Sequence, residues 1–332
     1  MRFIYTTRHF IIAALVLTGV ALSSCEEGVD LKIVDAPALT TGGAEITSPF
    51  SIRVSAEVTS DGGDIVGDRG VCWSTNPGPT TASSVARSGG GVGSFSVSLL
   101  GLEPGRTYYL RSFASNVGGV GYGNEVSFTT PAAPWTNNAD TVSDASGNLY
   151  SYKTIGTLDW MAQNLRSVRF CNGDTIPQKS SAGAWSTSDT SAQSAYNNDP
   201  ALAPMMGLLY NGSAMLDPRN VCPCGWRVAD EDDWNDLINN NGGLFEAGGA
   251  LKTTGTGIWK APNTGATDAI QFTGYPAGYR APTGEFFNFG SNAYWWSNNA
   301  TRPVKIVNSY GPGMQAWTGE QKTGYSVRCV RD

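Results

Sequence analysis

Phe50, Ile52, Val54, Ala56 and Val58 put an apolar side chain at every second position of FSIRVSAEV. A period of two commits this segment to a strand with one buried and one wet face. GVCWST, SFSVSLL, RTYYLRSFAS and EVSFTT follow between about Leu31 and Thr130, divided by Gly, Pro and Asp turns. Short strands punctuated in this way read as an all-β sandwich. From Trp135 onward the character changes, since that part holds nine of the ten tryptophans and four of the six cysteines. A chain of 332 residues is long enough for two separate cores.

Charged residues make up only 15% of the chain, against 41 glycines and 17 prolines, a balance that suits loop-rich modules outside cells. The sole histidine, His9, falls in a leader that is expected to be removed. The mature chain then has no imidazole, which excludes Ser-His-Asp and Cys-His catalysis and any zinc site that relies on His. Arg2 and Arg8 precede FIIAALVLTGVAL (Phe10 to Leu22), an apolar run of signal-peptide length and short for a membrane span. It ends in Leu22-Ser23-Ser24-Cys25, which resembles the lipobox of bacterial lipoproteins. That resemblance implies cleavage before Cys25 and acylation of it, giving a firm membrane anchor.

Cleavage removes two arginines and no acid, leaving 20 Lys+Arg against 28 Asp+Glu, a net of −8. No basic tract is present, so nucleic acid is not an expected partner. Glu26 and Glu27 directly after the anchor resemble the signal for outer-face display in lipoproteins of the Bacteroidetes type. The implied location is the outer membrane, exposed on the cell surface.

In the sandwich, Leu102-Glu103-Pro104-Gly105 followed by Tyr108-Tyr109 resembles the entry to a late strand in fibronectin type III-like domains. RGVCWSTNPGPTT (Arg69 to Thr81) and GYGNEVSFTT (Gly121 to Thr130) resemble the version found in bacterial surface proteins. Cys72, without a second cysteine in this domain, reads as a buried thiol, and the domain as a spacer. PAAPWTNNA (Pro131 to Ala139) is a semi-rigid linker, with two prolines in four residues.

An exported chain meets oxidising conditions, so Cys171, Cys222, Cys224 and Cys329 default to disulfides, with three connectivities open. The spacings lack the paired C-x₂₋₄-C knuckles of a structural zinc site. WMAQNL at 160, GLLYNG at 207, CPCGWRVADEDDW at 222, GYPAGYR at 274, YWWS at 294 and GYSVRCVRD at 324 together resemble the Fibrobacter succinogenes major paralogous domain. The resemblance implies an α+β, loop-rich fold like those of C-type lectins and formylglycine-generating enzymes. It also implies a Cys222–Cys329 bridge. Cys171 and Cys224 both depart from the family pattern, which suggests that they pair with each other.

Asp230-Glu231-Asp232-Asp233 stands where a helix should begin, with Asp230 as cap and Asn239 to Gly243 as stop. Trp234-Asn235-Asp236 matches the WND triplet of sugar-binding lectins, but lies inside this helix and is read as coincidence. The stretch from Glu285 to Val327 mixes aromatic rings with amides, which suits sugar or peptide recognition. Tyr294, Asn298, Asn299, Tyr310 and Trp317 are the candidate ligand contacts, with Trp295 and Trp296 largely core. Glu285 and Glu320 are the only carboxylates in that stretch, so no metal and no cofactor is expected.

The expected organisation is a signal peptide over 1–24, a lipidated tether over 25–36, the sandwich over 37–130, the linker over 131–139 and the C-terminal domain over 140–332. The expected function is non-catalytic binding or adhesion to a glycan or surface-protein ligand. A structural subunit of a surface assembly is the alternative, and an enzyme of formylglycine-generating-like fold comes third.

Overall fold

The alternation in FSIRVSAEV becomes a strand whose apolar side chains Ile52, Val54, Ala56 and Val58 are all buried, with Phe50 buried just before it. The computed structural model describes residues 33–48, 50–132 and 140–332. The expected leader, Cys25, Glu26, Glu27 and most of the expected linker therefore lie outside the described residues. The described residues divide into two compact units, those of 33–45 with Arg53–Ser98 and Thr107–Thr129, and those of 46–52 with Leu99–Arg106 and 130–332.

Eight strands form the sandwich: β1 (Ala38–Ser48), β2 (Ser51–Ser60), β3 (Asp68–Ser74), β4 (Ser84–Arg87), β5 (Gly93–Leu99), β6 (Thr107–Asn116), β7 (Gly119–Tyr122) and β8 (Val126–Thr129). One sheet has the order β1-β2-β5 and the other β4-β3-β6-β7, with β8 also paired to β6. This is the expected all-β sandwich. Cys72 is wholly buried on β3, its Sγ 3.5 Å from the Pro79 and Arg111 carbonyls, and burial raises the thiol pKa.

The second unit continues with β9 (Thr141–Ser143), β10 (Leu149–Ile155), β11 (Leu158–Met161), β12 (Gln193–Ser194), β13 (Leu209–Tyr210) and β14 (Arg227–Val228). β15 (Tyr279–Arg280), β16 (Phe286–Phe287), β17 (Asn292–Trp296), β18 (Pro303–Asn308), β19 (Met314–Thr318) and β20 (Cys329–Arg331) complete the strands. Its helices are short: α1 (Ala182–Ser186), α2 (Ala203–Met206), α3 (Gly212–Met215), α4 (Glu231–Asn240) and α5 (Ala247–Leu251). The largest sheet has the order β14-β20-β11-β10-β9, and a separate antiparallel meander runs β17-β18-β19. Among the described residues no helix is long and apolar enough to cross a membrane.

The meander lies between two cores. Tyr294, Trp296, Val304 and Ile306 join a cluster with Trp226, Tyr325 and the cysteines Cys222 and Cys329. Ala293, Trp295 and Val307 join another with Trp160, Trp234 and Phe272. A strand covered on both faces has no wet side, so Trp295 and Trp296 are both buried although they point opposite ways.

Disulfides join Cys222 to Cys329 and Cys171 to Cys224. The first ties the segment before β14 to β20, strands that are already paired at Val228 and Cys329. The acids after Cys224 form a capping box: the Asp230 carboxylate accepts from the Asp232 and Asp233 N–H groups, and Asp233 accepts from the Asp230 N–H. Trp234-Asn235-Asp236 lies within α4, and Trp234 is core. Arg328, beside Cys329, is fully buried and makes no ion pair among the described residues. It donates to Asn164 Oδ1 and to the Met161, Phe272 and Thr273 carbonyls at 2.6–3.0 Å, with its guanidinium 3.9 Å from the Phe272 ring centroid. Four carbonyl-type acceptors and an aromatic face satisfy the group in place of water.

Candidate functional site

The turns of the meander decide what the late segment can present. Residues 297–302 join β17 to β18, and Asn298 and Asn299 are exposed there, the Asn299 side chain accepting from the Thr301 N–H at 3.0 Å. Residues 309–313 join β18 to β19 at the opposite end, where Tyr310 is 71% exposed. β18 separates the two turns by roughly 20 Å at about 3.3 Å per residue. Trp317 on β19 pairs with Val304 near the start of β18, so it lies at the same end as Asn298 and Asn299. Trp317 is 52% exposed. Three of the five candidates thus share an end of the sheet, while Tyr310 stands apart.

Tyr294 needs correction. Expected as a ligand contact, it is 1% exposed and belongs to the core. Its ring lies near-parallel to Trp317 at 26° and 6.0 Å between centroids, and to Tyr325 at 26° and 5.4 Å. The sheet carries Tyr294 on the same face as Trp317, so the indole covers it. Tyr294 is the support of the surface and does not form it.

Around this support lies an aromatic surface that the candidate set did not include. Tyr279 meets Tyr294 edge-on at 5.1 Å, and Phe287 lies 5.6 Å from Tyr279 and is partly exposed. The exposed Asn288 amide donates to the Tyr294 hydroxyl at 2.6 Å. Burial pushes the pKa of the Tyr325 phenol up to about 12. Burial raises Tyr294 as well, so both phenols stay neutral near pH 7. The arrangement offers a broad apolar face bordered by uncharged hydrogen-bonding groups, which suits a ring with hydroxyls or a peptide. Phe287 and Asn288 were visible in EFFNFG as the same aromatic-beside-amide pattern, whereas Tyr279 in GYPAGYR has no amide beside it and carried no such signal. β15 and β16, paired at Tyr279 and Phe287, bring them alongside.

Gly319 closes β19 where a Cβ would lie 2.5 Å from the Trp296 ring, so only glycine lets the chain turn in tightly behind Trp317. The sandwich carries a separate open cleft of about 550 Å³, lined by Trp73, Ser74, Thr75, Ala82, Ser83, Ser84 and Tyr108. Among the described residues no three His, Cys, Asp or Glu side chains gather where they could hold a metal ion.

Residues 154–331, more than half of the chain, match the model of the Fibrobacter succinogenes major domain. The chain belongs to that family. No curated protein matches it. Among solved structures, the sixth fibronectin type III domain of human fibronectin type III domain containing protein 3 is 25% identical, with 32% of this chain and 95% of that one covered and a TM-score of 0.25. The sensor domain of the anti-sigma factor RsgI4 of Pseudobacteroides cellulosolvens is 18% identical over 30% of this chain and 98% of that one, with a TM-score of 0.24. The chicken CNTN1 FN1–FN3 structure is 17% identical over 29% of this chain, with a TM-score of 0.25, and only 32% of its own length is matched.

Proposed function

We propose that this is a cell-surface lipoprotein of Bacteroidetes type that acts as a non-catalytic binding or adhesion module. Acylated Cys25 anchors it to the outer membrane, the fibronectin type III-like sandwich spaces it, and the C-terminal domain, of C-type-lectin and formylglycine-generating-enzyme-like fold, carries the contact surface. The observation behind this reading is the half-exposed Trp317 indole seated on Tyr294, which itself stacks on Tyr325, with the exposed amides of Asn288, Asn298 and Asn299 nearby. An uncharged aromatic surface of this kind suits a glycan or a surface protein. Disulfides occupy all four cysteines of the second unit and Cys72 is buried, so reactive thiols for formylglycine-type chemistry are missing among the described residues.

The test is a glycan-array screen of the oxidised mature chain, with calcium and again with chelator. Saccharide binding that disappears in Trp317→Ala, at a temperature where the variant is still fully folded, supports the reading. Binding that Trp317→Ala leaves intact removes this surface from the account. A second reading, a structural subunit of a surface assembly, draws on the uncovered outer edge of β19.

A further inference from the structure

Among the described residues, β19 is an edge strand whose outer side makes a backbone hydrogen bond to its own chain only at its first residue. Among the described residues only β18 pairs with it. Its direction of hydrogen bonding is fixed at both ends. The Met314 N–H donates outward to the Leu244 carbonyl at 2.7 Å, and the Gly319 N–H donates inward to the Arg302 carbonyl at 2.9 Å. Alternation along an antiparallel strand then turns the N–H and C=O groups of Ala316 and Thr318 outward, and those of Gln315 and Trp317 toward β18. Gln315, Ala316, Trp317 and Thr318 are all exposed.

Soluble proteins blunt such an edge with charge, proline or a bulge, because unpaired strand groups recruit other strands. Met314 to Gly319, MQAWTG, has no charge and no proline. In a chain with a net charge of −6, an uncharged edge is also where two copies meet without apposing like charges.

We propose that a second copy of this chain adds to the outer edge of β19, antiparallel, about a two-fold axis through Trp317. In that register Ala316 faces the partner's Thr318 and Thr318 faces the partner's Ala316, each pair exchanging two backbone hydrogen bonds. Trp317 then stands opposite the partner's Trp317 in a non-hydrogen-bonded pair, where side chains come closest. Small residues flank the axis on both sides, and the two indoles extend an aromatic row from one Tyr294 to the other. Along the strand the nearest acids, Glu320 of each copy, lie three residues to either side of the axis, about 20 Å apart and beyond the Debye length at physiological salt. Glu231, near Ala316 across the ladder, is neutralised by Lys305 at 2.6 Å. Leu244 already occupies the Met314 end, so the ladder is short and the dimer weak. This names the partner for the Trp317 surface and so rests on that surface being one of contact. Its readout needs no saccharide, so a blank glycan array leaves it standing.

Sedimentation velocity of the mature chain across a wide concentration range tests the proposal. The expected result is a reversible monomer–dimer equilibrium. Thr318→Pro removes an outward N–H without touching the β18 ladder, and should weaken the dimer roughly tenfold or more. Ala316→Lys, which sets an ammonium on each side of the axis, should weaken it too, and decides the matter if the proline variant does not fold. A wild type that stays monomeric throughout overturns the proposal, as does a dimer that both folded variants leave unchanged.

Discussion

Tyr294 lies beneath Trp317, ring planes 26° apart and centroids 6.0 Å apart, one ring buried and the other half exposed. The pair divides support from surface. Truncating the buried ring leaves a cavity between β17 and Tyr325, so Tyr294→Ala should cost about 3–5 kcal/mol, the range for a large buried aromatic. Trp317→Ala removes area that is already half in water and should cost about 1 kcal/mol. Urea unfolding of the two variants checks this. Equal losses would make Trp317 a core residue and not a surface.

The disulfides give a second prediction. Cys222–Cys329 spans 107 residues of sequence and Cys171–Cys224 spans 53. In the chain-entropy model, which treats the benefit as lost freedom of the unfolded chain, loops of these lengths are worth up to about 4–5 and about 4 kcal/mol. Replacing either cysteine pair by alanine should lower the urea midpoint, slightly more for Cys222 and Cys329. Peptide mapping of the unreduced protein should recover both bridges, and a Cys171–Cys222 peptide would contradict the fold around β14 and β20.

Asp217 supplies the acid dependence. Hydrogen bonds from Arg219, with a further one from Ser191, hold its carboxyl down at about 2 against the cost of partial burial. The folded value lies below the ordinary unfolded value of about 3.9, so the unfolded state binds more protons between them. The stability from this group is complete above that unfolded value and is lost as the pH falls toward 2. Asp217→Asn should therefore be less stable than wild type near pH 6, with the gap closing in acid. A constant gap across a pH series of urea melts would refute the assignment.

Much of the fold could be read from local pattern. The alternation at Ile52, Val54, Ala56 and Val58 gave β2, and the Asp230 cap with Trp234, Leu237 and Ile238 at helical spacing gave α4. In both, near neighbours in sequence carry the signal. The candidate surface was less legible. Tyr294 looked available because no local rule shows that β17 lies between two clusters assembled from distant segments. Asn298 and Tyr310 are close in sequence, yet β18 holds them at opposite ends. Tyr279 and Asn288 reach Tyr294 only through the pairing of β15 with β16, a tertiary fact.

The most direct test of the central claim, that the Trp317 face is where this protein meets a partner, is hydroxyl-radical labelling of Trp317 by mass spectrometry. The protein in the cells that produce it would be compared with dilute purified protein, using the exposed sandwich residue Ile65 as internal reference. Labelling of Trp317 that is lower in the cells while Ile65 is unchanged is the predicted result. Equal labelling of Trp317 in both samples would contradict the account.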